Sequence, residues 1–103
     1  MVLGTATLQV SGPVFFSSGD EDAFFDWLGR IRCIQEVRGE GDGLQILFES
    51  VAVSDPDLRE LIAVFHRYRL DPAPLKQFLS AENGGWFRDD PQAYWHSDIF
   101  GSE

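Results

Sequence analysis

The chain has little of what metal sites and disulfide frameworks need. Among its 103 residues there are one cysteine, Cys33, and two histidines, His66 and His96. A lone cysteine forms no internal disulfide, and zinc sites need several Cys and His side chains at short spacings. We therefore predict no metal site, no cofactor and a reducing compartment. Cys33 falls in a strand pattern, where a cysteine usually behaves as a small hydrophobe.

Motifs of catalysis are missing as well. The sequence contains no G-x-S-x-G, the motif that presents a nucleophilic serine. Its glycine-rich stretch GEGDG, residues 39–43, lacks a following G-K-[ST], and Glu40 and Asp42 would repel phosphate. We predict that the protein is not an enzyme. The alternative left open is a small enzyme whose site combines Cys33 or either histidine with carboxylates from distant positions.

Long apolar runs are absent. No stretch approaches the roughly 18 apolar residues of a membrane helix, and the first ten residues, MVLGTATLQV, lack the Lys or Arg of a signal peptide. These absences predict a soluble, cytoplasmic protein. The sequence also has no repeat, linker or low-complexity segment, so its length predicts one domain over residues 1–103. With 44% hydrophobic and 14% aromatic residues, that domain can form a core.

Positive charge is scarce. Eight Lys and Arg face seventeen Asp and Glu, which gives a net charge of −9. Nucleic acid and anionic membrane surfaces are poor partners for such a chain. A basic protein is favoured, because opposite fields accelerate encounter. The competing interpretation is that the acidity only aids solubility.

The first half of the sequence predicts a strand and a helix. Residues 5–10, TATLQV, alternate between polar and apolar side chains, as in a half-buried strand. Ser18 and Glu21 have the spacing of a capping box, which predicts a helix over 19–31. The apolar stripe of this helix consists of Phe24, Trp27, Leu28 and Ile31.

A hairpin and a second helix follow. Residues 33–38 and 44–49 both alternate, and the glycines of residues 39–43 supply the positive φ values of a tight turn. Ser54 and Asp57 repeat the capping pattern, with Pro56 in the first turn. The stripe of the second helix consists of Leu58, Leu61, Ile62 and Phe65, and Asp71-Pro72 ends it.

The predicted fold class is α+β, an open-faced sandwich with β-α-β-β-α order. A crossover through the first helix would lay strand one parallel to strand two in a small mixed sheet, and both helices would cover one face. Ile34, Leu47 and Val51 are expected on the other face. Together they are too apolar to be left in water.

The C-terminal stretch NGGWFRDDPQAYWHSDIFG, residues 83–101, combines aromatic and acidic residues. Large rings bury much area, so we predict that most of them pack back on the core, with Tyr94 or Trp95 left as an exposed anchor. Asp90-Pro91 is expected to cap one more helical turn through Tyr94 and Trp95. Acidic side chains interleaved with rings are typical of a surface that docks a basic protein.

A compact, strongly acidic chain with this element order and the tail WFRDDPQAYWHSDIFG resembles the small immunity proteins of bacterial toxin systems. The resemblance is one of size, charge and element order, without a diagnostic motif. It implies a cytoplasmic inhibitor without activity of its own, which binds a cognate toxin domain, often a basic nuclease, and occludes its active site.

The sequence therefore predicts a non-enzymatic acidic binding protein. The alternative is a generic protein-interaction module or small subunit of a larger complex, which would use the apolar sheet face or an edge strand. Oligomeric state stays open. The first candidates for partner contact are the tail residues Asp89, Asp90, Tyr94, Trp95 and Asp98. The second candidates are Glu40 and Asp42 at the hairpin tip.

Overall fold

The computed structural model describes residues 6–49 and 52–101. Its elements follow the predicted β-α-β-β-α order and continue into three short helices, which confirms the α+β class. No helix among the described residues is long and apolar enough to cross a membrane. The elements are β1 (Ala6–Ser11), α1 (Ser18–Gly29), β2 (Ile34–Glu40), β3 (Gly43–Phe48), α2 (Asp55–Arg67), a 3-10 helix (Ala73–Phe78), α3 (Gly84–Phe87) and α4 (His96–Phe100).

The sheet is antiparallel throughout, with strand order β1-β3-β2. Both β1 and β2 pair antiparallel with β3, so they run in the same direction, as predicted. The prediction of a mixed sheet is wrong, however, because β3 lies between them and no parallel ladder forms. A two-residue turn at Gly41-Asp42 closes the β2–β3 hairpin, and β1 joins the free edge of β3.

A bulge in β2 decides which side chains face the core. Ile34 pairs with Phe48, but Glu36 pairs with Leu47, so Gln35 is an extra residue. The extra residue shifts the alternation by one position. Ile34 therefore shares the inner face with buried Phe48, and its expected place on the outer face is wrong. Val51, which was expected there too, lies outside the described residues.

The outer face of the sheet is polar. Leu47 is half-buried on this face, and the neighbours that the strand register places around it are polar or charged. An antiparallel sheet with this composition can face water without a further layer. The surrounding outer-face residues are Thr7, Gln9, Glu36, Arg38 and Gln45.

Helix caps follow the predicted chemistry with one shift in position. The N-cap of α1 is Ser17, whose Oγ accepts a hydrogen bond from the Asp20 backbone N–H at 3.0 Å, so the predicted Ser18–Glu21 box lies one residue too late. Asp20 Oδ2 in turn accepts from the Phe16 N–H at 3.0 Å. The predicted cap of α2 is confirmed: Ser54 Oγ accepts from the Asp57 N–H at 3.4 Å.

One hydrophobic cluster joins the sheet, both long helices and the tail. The predicted stripes supply most of the helical part of this cluster, with two differences: Trp27 is only half-buried, and Val64, outside the predicted stripe, is buried as well. The tail closes one side of the cluster with Phe87 and Ile99, which are both buried. This confirms that the aromatic C-terminal segment packs back on the core.

Candidate functional site

The tail is anchored by buried rings and a buried amide. Phe87 is fully buried, and its ring meets that of Phe100 edge to face at 5.0 Å between centroids. Trp95 Nε1 donates a hydrogen bond to the Phe87 carbonyl at 2.9 Å. The buried side chain of Asn83 donates from Nδ2 to the Phe78 carbonyl at 2.8 Å. These contacts fix the loop that precedes α4, although the loop has little regular structure.

Trp86 lies between this loop and α2. The Arg59 guanidinium stacks 3.9 Å from the Trp86 ring centroid, and the Trp95 ring meets Trp86 edge to face at 6.0 Å. The Trp86 Nε1 atom is buried and has no acceptor among the described residues. The cation–π contact ties the tail to the polar side of α2.

Tyr94 is the ring that the tail leaves exposed. Half of its surface (50%) is accessible, while its ring packs edge to face on Trp95 at 5.0 Å and on His66 at 4.7 Å. Partial burial raises the pKa of the Tyr94 phenol; Arg59 acts in the opposite direction and Glu60 in the same one. The phenol therefore stays neutral. A ring held on two sides with a free polar tip is suited to anchoring a partner.

Of the two predicted anchors, the structure exposes Tyr94 and half-buries Trp95 beneath it. The N–H of Trp95 donates to the Phe87 carbonyl, and its ring packs edge to face with the rings of Trp86 and Tyr94. Its direct role is thus to hold the Tyr94 ring in place.

The tail carboxylates differ in their surroundings. Asp89 forms an exposed ion pair with Arg88 at 2.7 Å, and the hydrogen bond from Arg88 holds the pKa of Asp89 below its usual range. Asp90 Oδ1 accepts from the Gln92 backbone N–H at 3.0 Å. The predicted helical turn after Asp90 is therefore wrong, because the Asp90 side chain builds a local turn and α4 begins only at His96.

Asp98 is linked to Tyr94 through His66. It lies in the first turn of α4 and lines, together with His66 and Asp71, a shallow depression of about 470 Å³. Because His66 also contacts the Tyr94 ring, these groups are contiguous on one surface. We call Tyr94, Asp98 and His66, together with the exposed Asp89 and Asp90 of the same C-terminal segment, the tail surface. Nothing in the spacing of His66 in the sequence indicated that it belongs there.

The hairpin tip is a separate acidic site. Glu40 and Asp42 are exposed on either side of Gly41, whose φ is +59°. The Asp42 carbonyl accepts a hydrogen bond from the Gly12 N–H at 3.2 Å, which ties the tip to the end of β1. Within residues 6–49 and 52–101, no hydrogen bond, ion pair or ring contact joins the tip to the tail surface.

Cys33 lies just before β2 and packs partly against the core. Burial raises the pKa of its thiol to about 12, and the charges of Asp57 and Glu49 add to the rise. Neither histidine is among the groups that act on this thiol. The arrangement favours a neutral thiol with a packing role.

We expect native Cys33 to react with iodoacetamide at pH 8 on the order of a thousandfold more slowly than a free cysteine, because the thiolate fraction falls with the raised pKa. Labelling followed by mass spectrometry measures the rate. Protein in denaturant is the control and should react at the ordinary rate. Equal rates in the native and denatured states would contradict the raised pKa.

A groove next to the depression lined by Asp98 was missed by sequence reasoning, and Arg69 lines both. The groove has a volume of about 810 Å³ and lies between the Ser11–Phe16 segment and the C-terminal end of α2. Val14 (73%) and Phe16 (90%) are exposed at this segment, although the sequence reads as a continuous apolar run. Only Phe15 of that run turns inward, onto Phe24. Because Val14, Phe15 and Phe16 are all apolar, no polar–apolar pattern in the sequence indicated which of them would be exposed.

Groups of three or more His, Cys, Asp or Glu that could hold a metal ion are absent from the described part of the chain. Comparisons with protein-family models, with curated proteins and with solved structures found no match to this chain.

Proposed function

We propose that this chain is a non-enzymatic acidic binding protein that neutralises a cognate bacterial toxin, a basic nuclease domain, by covering its active site. The observation that carries the proposal is Tyr94, a half-exposed ring held by Trp95 and by His66, which lines one depression with the Asp98 carboxylate. Rings of this kind supply most of the binding energy in protein interfaces, and carboxylates steer a basic partner towards them.

The carboxylates of the tail surface can pair with basic side chains of a partner protein. Asp89 and Arg88 form an exposed pair, and pairs of this kind contribute little to stability. A lysine or arginine of the partner can therefore replace Arg88 at little cost. Asp98 is exposed. In the proposed complex these groups take the place of substrate phosphates, and Tyr94 excludes water from the contact.

The alternative of a generic interaction module has less support. It relied on an apolar outer face of the sheet or on an edge strand; the described outer face is polar around Leu47, whereas β1 and β2 are both edge strands. The hairpin tip stays the second candidate surface, because Glu40 and Asp42 project there without an ion-pair partner among the described residues.

We expect co-expression of this chain with the product of its neighbouring gene to protect the host from that product, and the purified pair to associate at a rate that falls steeply with salt. Changing both Asp89→Asn and Asp90→Asn should slow association several-fold. Asparagine keeps the turn that Asp90 builds, so only charge is removed. Stopped-flow fluorescence measures the rate.

The matched control is the pair Glu40→Gln and Asp42→Asn, which removes the same charge from the hairpin tip. An equal slowing by both pairs would mean that only net charge matters and would reject a docking face in the tail. A larger effect of the two substitutions at the hairpin tip would mean that the interface lies at the tip. Absence of protection and of a complex would overturn the proposal as a whole.

A further inference from the structure

The groove between the Ser11–Phe16 segment and the end of α2 has aromatic walls whose polar groups are already satisfied. Trp27 and Tyr68 line it, with their ring centroids 6.5 Å apart and edge to face. Trp27 Nε1 donates to Glu60 Oε1 at 2.8 Å. Partial burial raises the pKa of the Tyr68 phenol, and Asp20 raises it further, so this group is neutral. None of these groups needs a ligand to complete its hydrogen bonding.

The charges left over in the groove are positive. Arg67 and Arg69 both line it, and neither forms an ion pair with a carboxylate of residues 6–49 or 52–101. The one lining carboxylate, Asp20, is engaged by the Phe16 N–H. Among the described lining residues, two guanidiniums without an ion pair therefore face one carboxylate, so the groove is locally basic in a chain with a net charge of −9, although Arg69 also borders the depression that Asp71 and Asp98 line. Guanidinium groups bind carboxylates through two parallel hydrogen bonds.

Arg69 occupies a backbone position that favours glycine. Its φ is +59°, and it follows the C-cap of α2 in a Schellman motif: the Leu70 N–H donates to the Phe65 carbonyl at 2.9 Å and the Arg69 N–H to that of His66 at 3.3 Å. Glycine is the usual residue here because a Cβ atom disfavours the left-handed region. Arginine at this position costs stability relative to glycine, and strained positions of this kind are often found where a side chain has a function.

The rim of the groove is apolar and uncovered. Phe16 is 90% exposed and Val14 is 73% exposed, and both line the groove beside the guanidiniums. A small anion would pair with the arginines but would leave these side chains in water. An occupant that covers the rim as well must carry both an acidic group and an apolar one, spaced along an extended chain.

We propose that this groove binds an acidic peptide segment of a partner protein, whose carboxylates pair with Arg67 and Arg69 and whose apolar side chain covers Phe16 and Val14. Charge complementarity and the exposed rim carry the proposal. It goes beyond the proposed function, because the tail surface recognises a basic partner and this groove recognises an acidic one.

The test is a selection of short random peptides on the immobilised protein, followed by affinity measurement and by NMR of the Trp27 indole N–H. We expect the enriched peptides to combine Asp or Glu with Phe, Leu or Trp and to shift the Trp27 signal. Arg69→Gly should weaken binding of the best peptide at least tenfold while the melting temperature stays equal or rises. Phe16→Ser, at an exposed position, should weaken it as well.

The matched control is Arg32→Gln, which removes one positive charge from an exposed residue outside the groove and should leave binding unchanged. Enrichment of basic or neutral peptides, or equal affinity of the Arg69→Gly variant, would overturn the proposal. A Trp27 shift of the same size with inorganic phosphate alone would mean that the groove binds a small anion and not a peptide. Self-association of the protein that is lost in the Arg69→Gly variant would mean that the groove binds a second copy of this chain and not a peptide of another protein.

Discussion

Replacing Gly43 with alanine should cost the domain a large part of its stability. A Cβ atom at Gly43 would lie 2.0 Å from the Val10 carbonyl oxygen and 3.2 Å from the Ser11 Cα. Both are backbone atoms of β1, so no side chain can move aside, and β1 must separate from β3. Overpacking usually costs about 1–3 kcal/mol and sometimes more. Because the whole β1–β3 ladder is affected, we expect at least about 3 kcal/mol, which corresponds to a fall of roughly 12–24 °C in melting temperature.

Gly39→Ala is the matched control for this change. Gly39 lies in the neighbouring strand β2, and a Cβ atom there meets nothing within 4 Å. Alanine at this position should be neutral or slightly stabilising, because it restricts the unfolded chain. Thermal unfolding followed by circular dichroism compares the two variants. Similar melting temperatures for both would contradict the close approach of β1 to Gly43.

The glycines of the hairpin also show where sequence reasoning reached its limit. The spacing of Gly39, Gly41 and Gly43 predicts a tight turn, and the turn forms. Only Gly41 has the positive φ that the turn needs. Gly43 is required for a different reason, the approach of β1, which lies about thirty residues earlier in the sequence. A contact of this kind is set by strand pairing, and the local sequence does not contain it.

Strand pairing explains the other errors in the predicted sheet. Alternation in TATLQV and in the hairpin correctly identifies three strands, but it does not say which edge of the hairpin β1 joins. The bulge at Gln35 changes the phase of the pattern without a glycine or proline to mark it. The alternation therefore places Ile34 on the wrong face. Helix positions were easier to predict, because caps and apolar stripes are local features.

The candidate sites were predictable in part. Composition indicates that the tail packs on the core with a ring left exposed, and Tyr94 is that ring. The contact between Tyr94 and His66 depends on how the tail folds over α2, and no spacing indicates it. The groove is harder still, since Phe16, Trp27 and Arg69 come from three separate stretches of the chain.

Phe87 and Tyr94 separate the two roles of the tail in one experiment. Phe87 is fully buried against Phe100, so Phe87→Ala leaves a cavity and should cost about 3–5 kcal/mol, a large part of the stability of a small domain. Tyr94 is half exposed, and Tyr94→Ala should cost about 1 kcal/mol or less, since water already reaches much of the ring. Urea unfolding measures both values.

The two variants should rank in the opposite order in their effect on binding. If Tyr94 is the anchor of the proposed interface, Tyr94→Ala should weaken the complex with the neighbouring gene product by about 2 kcal/mol or more, a loss of roughly thirtyfold. Phe87→Ala should bind with nearly native affinity at a temperature where it is still folded, because its ring is hidden from any partner. A Tyr94→Ala variant that unfolds as readily as Phe87→Ala would make Tyr94 part of the core. One that stays folded and protects the host fully would remove Tyr94 from the contact surface.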